Sequence, residues 1–225
     1  MKDFDVSLIG HLSFDRIFDG FEQIDSVGCI ANVWHHLVTL DPSLKINLSP
    51  ICLGEAIIYV DKKQAKRASV ANLNLKVKKC FSAPSSSWHH ILYLNCLPDT
   101  GWINSIPEDE IVSADVCKGE KLNIDSISRL DYLFISDEDM FWPIEILSSK
   151  IRGWVIMHHK SGSVCSNGED SFELNIKPLP RVNVLGAGDM FAGSVIRHML
   201  SNPKTSIKNA VKKSHKEVKK CLIKK

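Results

Sequence analysis

Asn183-Val184-Leu185-Gly186-Ala187-Gly188-Asp189-Met190-Phe191-Ala192-Gly193-Ser194 decides how the rest of the chain is read. A short apolar approach ends in a turn almost free of side chains, an acid follows, and a helical pattern begins. Gly186 and Gly188 open dihedrals closed to other residues and leave the backbone N–H groups uncovered. Phe191, Val195, Met199 and Leu200 recur at helical spacing, so the pattern predicts a helix starting near Ala187. The unpaired N–H groups and partial positive charge of a helix start make a seat for phosphate. Asp189 stands beside that seat with a carboxylate to offer.

Two common phosphate motifs do not fit. A P-loop needs GxxxxGK[ST], and Gly188 to Ser194 has both glycines and a Ser but no Lys. A dinucleotide fingerprint needs GxGxxG after a strand and an acid about 20 residues on. Here the third glycine comes two places late.

Upstream, Asp5-Val6-Ser7-Leu8-Ile9 reads as a buried strand ending at Gly10, with Ser13-Phe14-Asp15 just beyond it. An acid there is either a turn or capping residue or a ligand-binding group at the carboxyl end of a strand. Arg16 to Val27 suits a short hairpin standing off the main sheet. Gly28-Cys29-Ile30-Ala31-Asn32 leads into a helix whose apolar face carries residues 30, 33, 34, 37 and 40 and which Asp41-Pro42 stops. Ile46 to Val60 reads as two strands around Gly54. Leu73, Leu75 and Val77 mark a half-exposed strand, and 82–87 a loop. Further strands are expected at 91–95, 111–116, 132–135, 154–158, 161–165 and 172–176, with a helix at about 124–130. Ser136-Asp137-Glu138-Asp139 follows the strand at 132–135. It is either an N-cap with first-turn acids or a group that organises Mg²⁺ and its waters. Strands alternating with helices, several of them wholly apolar, argue an α/β fold with a mostly parallel central sheet covered by helices on both faces.

The 225 residues, 44% hydrophobic and 24% charged, suit a soluble globular domain. No apolar run approaches the roughly 20 residues that span a bilayer, and Met1 to Asp5 lacks a signal-peptide pattern. Seven scattered cysteines without a CxxC pair suggest free thiols in a reducing cytosol, so a cytoplasmic location is expected. The adjacent pairs His35-His36, His89-His90 and His158-His159 are poor chelates, because neighbouring side chains diverge. Within a formal charge of +2, residues 204–225 carry nine Lys against Glu217, a local +8 that leaves −6 for the remainder. The lysines are read as the solvated face of a final helix with apolar positions at 207, 210, 211, 218 and 222. No nucleic-acid or membrane partner is expected.

Gly186-Ala187-Gly188-Asp189 with Phe191, Ala192 and Gly193 resembles the signature of the PfkB (ribokinase-like) family of sugar and nucleoside kinases. Upstream residues agree in order. Asp15 resembles the acid that holds substrate hydroxyls. Gly28 with Ala31-Asn32 resembles the GGxxAN segment, with Val27 in place of its first glycine. Ser136 and Asp139 fall on NxxE, and Gly162 falls in the loop after the nucleotide-side strand. Asn183-Val184 replaces the usual Asp-Thr, and Met157 and His159 stand where Thr and Gly are usual.

The resemblance implies a single ribokinase-like domain over 1–225 with a small, reduced β lid, a hairpin at about 15–28. It implies transfer of the γ-phosphoryl of ATP to a hydroxyl of a sugar or sugar-like substrate. Asp189 is then the base, and the N–H groups of Gly186, Ala187 and Gly188 stabilise the transferred group. Asp15, Gly28 and Asn32 bind substrate. Ser136, Asp139 and Gly162 lie on the nucleotide side, with Asp139 acting on Mg²⁺. The alternative is a catalytically weak relative that binds sugar or nucleotide in a regulatory or assembly role. A homodimer is also allowed.

Overall fold

The computed structural model describes every residue except Met1, Ala65, 118–121, 124–126, 139–141, Arg181 and Lys225. Residues 124–126 of the expected helix, and Asp139, therefore lie outside the described residues; residues 127–130 form a turn rather than a helix. The chain divides into two units, and it passes between them inside β1 (Phe4–Asp19) and inside β3 (Ile46–Asp61).

The first unit comprises Met1–Gly10, Leu44–Ser49 and Lys78–Asn175. The first half of β1 pairs in parallel with β5 (Ser86–Leu92), setting Val6 opposite Trp88 and Ile9 opposite Ile91. Parallel pairing continues through β6 (Ile111–Asp115), β7 (Tyr132–Ser136) and β8 (Trp154–His159). Two antiparallel strands, β9 (Gly162–Ser166) and β10 (Ser171–Asn175), complete it. Val6, Leu8, Ile9, Ile91, Val112, Leu133, Phe134, Val155 and Ile156 are all buried, the unbroken apolar runs that a parallel sheet needs on two covered faces. A short helix, α2 (Ile144–Ser148), packs on β8 and β9.

Two features tie down the strand ends. Tyr93 turns left-handed at φ 57 and donates its N–H to Asp115 Oδ1 at 2.6 Å, so β5 stops at Leu92 and 94–96 form a 3₁₀ turn. At the amino end, Lys2 Nζ and His89 Nε2 meet the buried Glu110 carboxylate at 2.5 and 2.6 Å.

The second unit comprises His11–Ser43, Pro50–Val77 and Ile176–Lys225. It holds three long helices, α1 (Ile30–Leu40), α3 (Ala187–Ser201) and α4 (Ile207–Lys224). α3 packs on both α1 and α4. Gly193 is where α1 comes close: a Cβ there would meet His36 Cδ2 at 3.3 Å and Val33 Cγ1 at 3.5 Å. Two hairpins also belong to this unit. The outer half of β1 pairs with β2 (Glu22–Cys29) around Gly20-Phe21, with Gly20 at φ 64 as a two-residue hairpin loop favours. The outer part of β3 pairs with β4 (Lys66–Val77), and stacking of Phe18 on Tyr59 at 5.2 Å joins the hairpins.

Several expected boundaries move. β1 does not end at Gly10. That glycine, at φ 132, lies so close to the Leu92 backbone that a Cβ would collide with it, and the strand runs on for nine residues. Residues 46–60 are one strand, not two; the irregularity at Gly54 is a register shift between Leu53 and Glu55. β5 begins at Ser86, inside the expected loop. The central architecture is as expected: a mostly parallel sheet with helices.

Candidate active site

Asp15, Gly28, Asn32 and the Gly186–Asp189 turn all belong to the second unit. His11, Ser13 and Asp15 alternate along one face of β1 and are all buried, a polar row where a strand would ordinarily bury apolar side chains. Ser13 Oγ donates to Asp15 Oδ1 at 2.6 Å and lies 3.3 Å from Cys29 Sγ. Burial pushes the Asp15 carboxyl above its ordinary range, while the Ser13 hydroxyl and the charge of Arg67 pull it back. Gly28 lies across from Ser13 in the β1–β2 ladder. A side chain there would run into the Asp15 carboxylate, so only glycine lets the backbone come this close.

The chain then turns through Cys29 at φ 57 into α1, and Asn32 falls in the first turn of that helix. α3 starts from Gly186, which is left-handed at φ 73. Asp189, in the first turn of α3, accepts a hydrogen bond from Asn32 Nδ2 at 2.8 Å. Four residues along α1 from Asn32, buried His36 bonds through Nε2 to Ser194 Oγ of α3 at 2.8 Å. Two polar couples thus fix the register of α1 on α3, one at each end of the contact that Gly193 permits.

The glycine turn has its own internal bracing. Asn183 Oδ1 accepts the Leu185 N–H at 2.9 Å, and the Ala187 N–H donates to Val184 O at 3.0 Å. The N–H groups of Gly186 and Gly188 have no acceptor among the described residues. Of the three N–H groups expected to face an anion, Ala187 is therefore engaged within the loop. Beside the Asp15 row, a groove of about 590 Å³ is lined in part by Asp15, Arg16, Asp25, Glu55 and Asn72.

No family model matches the sequence, and no curated protein matches it either. Solved structures do. Adenosine kinase from Sinorhizobium meliloti superposes with a TM-score of 0.73 at 11% identity, covering 92% of this chain and 90% of that one. Ribokinase from Thermotoga maritima gives 0.69 at 16% identity, covering 92% and 89%. The fold is ribokinase-like. A pyrophosphate-dependent kinase in the ribokinase family gives 0.63 at 15% identity, covering 92% and 91%. At these identities the likeness is one of fold, and the chemistry of the ribokinase-like chain has to be argued from its own residues.

Ser136 and Gly162 belong to the first unit of this ribokinase-like fold. Ser136 ends β7; residues 139–141 beyond it lie outside the described residues, and the next described helix is α2, which follows Pro143. Gly162 opens β9 at φ 147, where a side chain would strike Leu174 O of β10. Its glycine has a structural reason before any nucleotide is considered. Among the described residues no group of three His, Cys, Asp or Glu could hold a metal ion.

Sequence reasoning missed His11, Cys29 and Asn74. His11 heads the polar row and bonds through Nε2 to Asn74 Oδ1 at 3.2 Å, and Asn74 lies where β4 slips register against β3. The signal was present in the alternation of residues 11, 13 and 15, but it was hidden by ending the first strand at Gly10.

Proposed function

We propose that this chain is a phosphotransferase that moves the γ-phosphoryl group of ATP to a hydroxyl of a sugar or sugar-like substrate. The observation that carries the proposal is the 2.8 Å bond from Asn32 to Asp189, which couples the starts of two helices at an acid beside an open glycine turn. Positioning and electrostatics supply most of the catalysis in phosphoryl transfer. Asp189 takes the proton of the acceptor hydroxyl. The Gly186 and Gly188 N–H groups, at the positive end of α3, steady negative oxygens. Asp15, held by Ser13, accepts from substrate hydroxyls, and Asn32 fixes both Asp189 and the acceptor. Gly28 leaves room for the acceptor against Asp15.

Mg²⁺, where bound, neutralises charge on the phosphates. Asp139, the expected magnesium-side acid, lies outside the described residues. Ser136 and Gly162, in the first unit, are proposed to contact nucleotide. A lid-to-lid homodimer and a cytoplasmic location are carried with the proposal; light scattering of the purified chain tests the first.

One observation favours the second reading, a catalytically weak binder. The Ala187 N–H is bonded to Val184 O in the altered Asn183-Val184 loop. A panel of sugars and nucleosides with ATP and Mg²⁺, followed by ADP release, separates the two. Turnover on a panel member that falls about a thousandfold in Asp189→Asn supports the proposal. Ligand binding without turnover on any acceptor supports the weak binder, and unchanged turnover in Asp189→Asn removes Asp189 from its role.

A further inference from the structure

The outer face of α4 is built from one kind of charge. Lys208, Lys212, Lys216, Lys220 and Lys224 follow one another at four-residue spacing, with Lys213 and Lys219 beside them, and all seven are exposed. At 3.6 residues per turn and 1.5 Å per residue they cover an arc of about 160° over roughly 24 Å. The opposite face is committed: Ile207, Ala210, Val211, Val218 and Leu222 are buried, and the helix packs on α3. Glu217, the one acid of α4, turns inward and accepts from Arg197 Nη2 of α3 at 2.8 Å. Lys212, Lys213, Lys216, Lys219, Lys220 and Lys224 make no ion pair with any described residue.

An amphipathic helix needs a polar outer face, but it does not need one of a single sign. Like charges four residues apart destabilise a helix, and Glu at alternate positions would turn each repulsion into an attraction. The first turn of α4 also carries Lys208 and no acid, the wrong sign for that end of the dipole. A face kept only for solvation explains neither cost. An anionic partner explains both, because it neutralises the arc from outside.

We propose that the outer face of α4 docks on an anionic phospholipid surface. The arc contains no Arg and no aromatic residue, so it lacks the bidentate phosphate contacts and stacking groups of a nucleic-acid site. Lysine ammoniums act as hydrated point charges, which suits a surface of mobile anionic headgroups. Ile223, 61% exposed, lies near the middle of the arc and can enter the headgroup layer. Because the apolar face is occupied by α3, α4 lies flat and does not insert.

The test is co-sedimentation of the full chain with vesicles of phosphatidylcholine alone and of phosphatidylcholine mixed equally with phosphatidylglycerol. Binding to the mixed vesicles at least about tenfold above the neutral ones, lost as salt rises, is the expected result. The triple variant Lys212→Glu, Lys216→Glu, Lys220→Glu should lose it while keeping its thermal midpoint. Absence of binding to the mixed vesicles at low salt overturns the proposal. So does equal binding by the folded triple variant, or release of bound protein by a modest amount of duplex DNA. If the triple variant fails to fold, lipid composition, salt and competitor decide with the unmodified chain.

Discussion

Asp15 meets two demands at once. In the proposed role its carboxylate has to be ionised and close to acceptor hydroxyls, yet burial beside Ser13 and Gly28 raises its pKa. A raised carboxyl costs folding stability at every pH above its folded pKa, and the cost fades as pH falls below it. Asp15→Asn is therefore expected to raise the melting temperature at neutral pH, with the gain shrinking in acid, while acceptor binding is lost. Melting curves at two pH values, with and without acceptor, check both parts. Gly28→Ala presses on the same group from the other side. The added methyl collides with the Asp15 carboxylate, so a loss of roughly 1–3 kcal/mol in unfolding free energy is expected, with weaker acceptor binding. At this scale the sequence was half legible. Asp15 and Asp189 stood out by type and position, and Gly28 and Asn32 through the family resemblance; all four fall in the second unit. The Asn32–Asp189 bond was not legible, because it joins residues 157 positions apart.

At the scale of elements, what the sequence showed depended on where each side of an element points. β6 to β10, α1, α3 and α4 were legible because burial imposes a clear apolar period on them. The continuation of β1 past Gly10 was not, since its inward residues are His11, Ser13 and Asp15 and its outward ones include Phe14. β3 and β4 were blurred because their outer parts expose Ile57, Tyr59 and Val70. β5 carries a second polar surprise with a measurable consequence. His90 is fully buried beside Ser113, and burial pushes its pKa down to about 3 from 6.5. The unfolded chain takes up a proton near pH 6.5, while the folded chain does not until near 3, so stability falls with pH across that window. The slope from one such group is at most about 1.4 kcal/mol per pH unit. His90→Gln should flatten this acid limb in denaturant titrations between pH 6.5 and 4, whatever its effect on stability at neutral pH.

For the whole molecule, net charge conceals its distribution. A total of +2 predicts weak retention on a cation exchanger, but +8 within residues 204–225 predicts strong retention through one face. Replacing Lys212, Lys216 and Lys220 by Ser should move elution to lower salt much further than replacing three lysines chosen from β4 and the loops does, although both variants change net charge equally. The order of the chain has a further consequence, for assembly in time. The second unit draws on residues 11–43, 50–77 and 176–225, so the partner of Asn32 leaves the ribosome only after β1 to β10 have been made. The loop that closes when Asp189 reaches Asn32 spans 157 positions, and loops of that length close late in folding. A chain cut after β10 can thus carry the whole parallel sheet and still lack Asp189. The proposed phosphoryl transfer would then report whether the loop between Asn32 and Asp189 has closed.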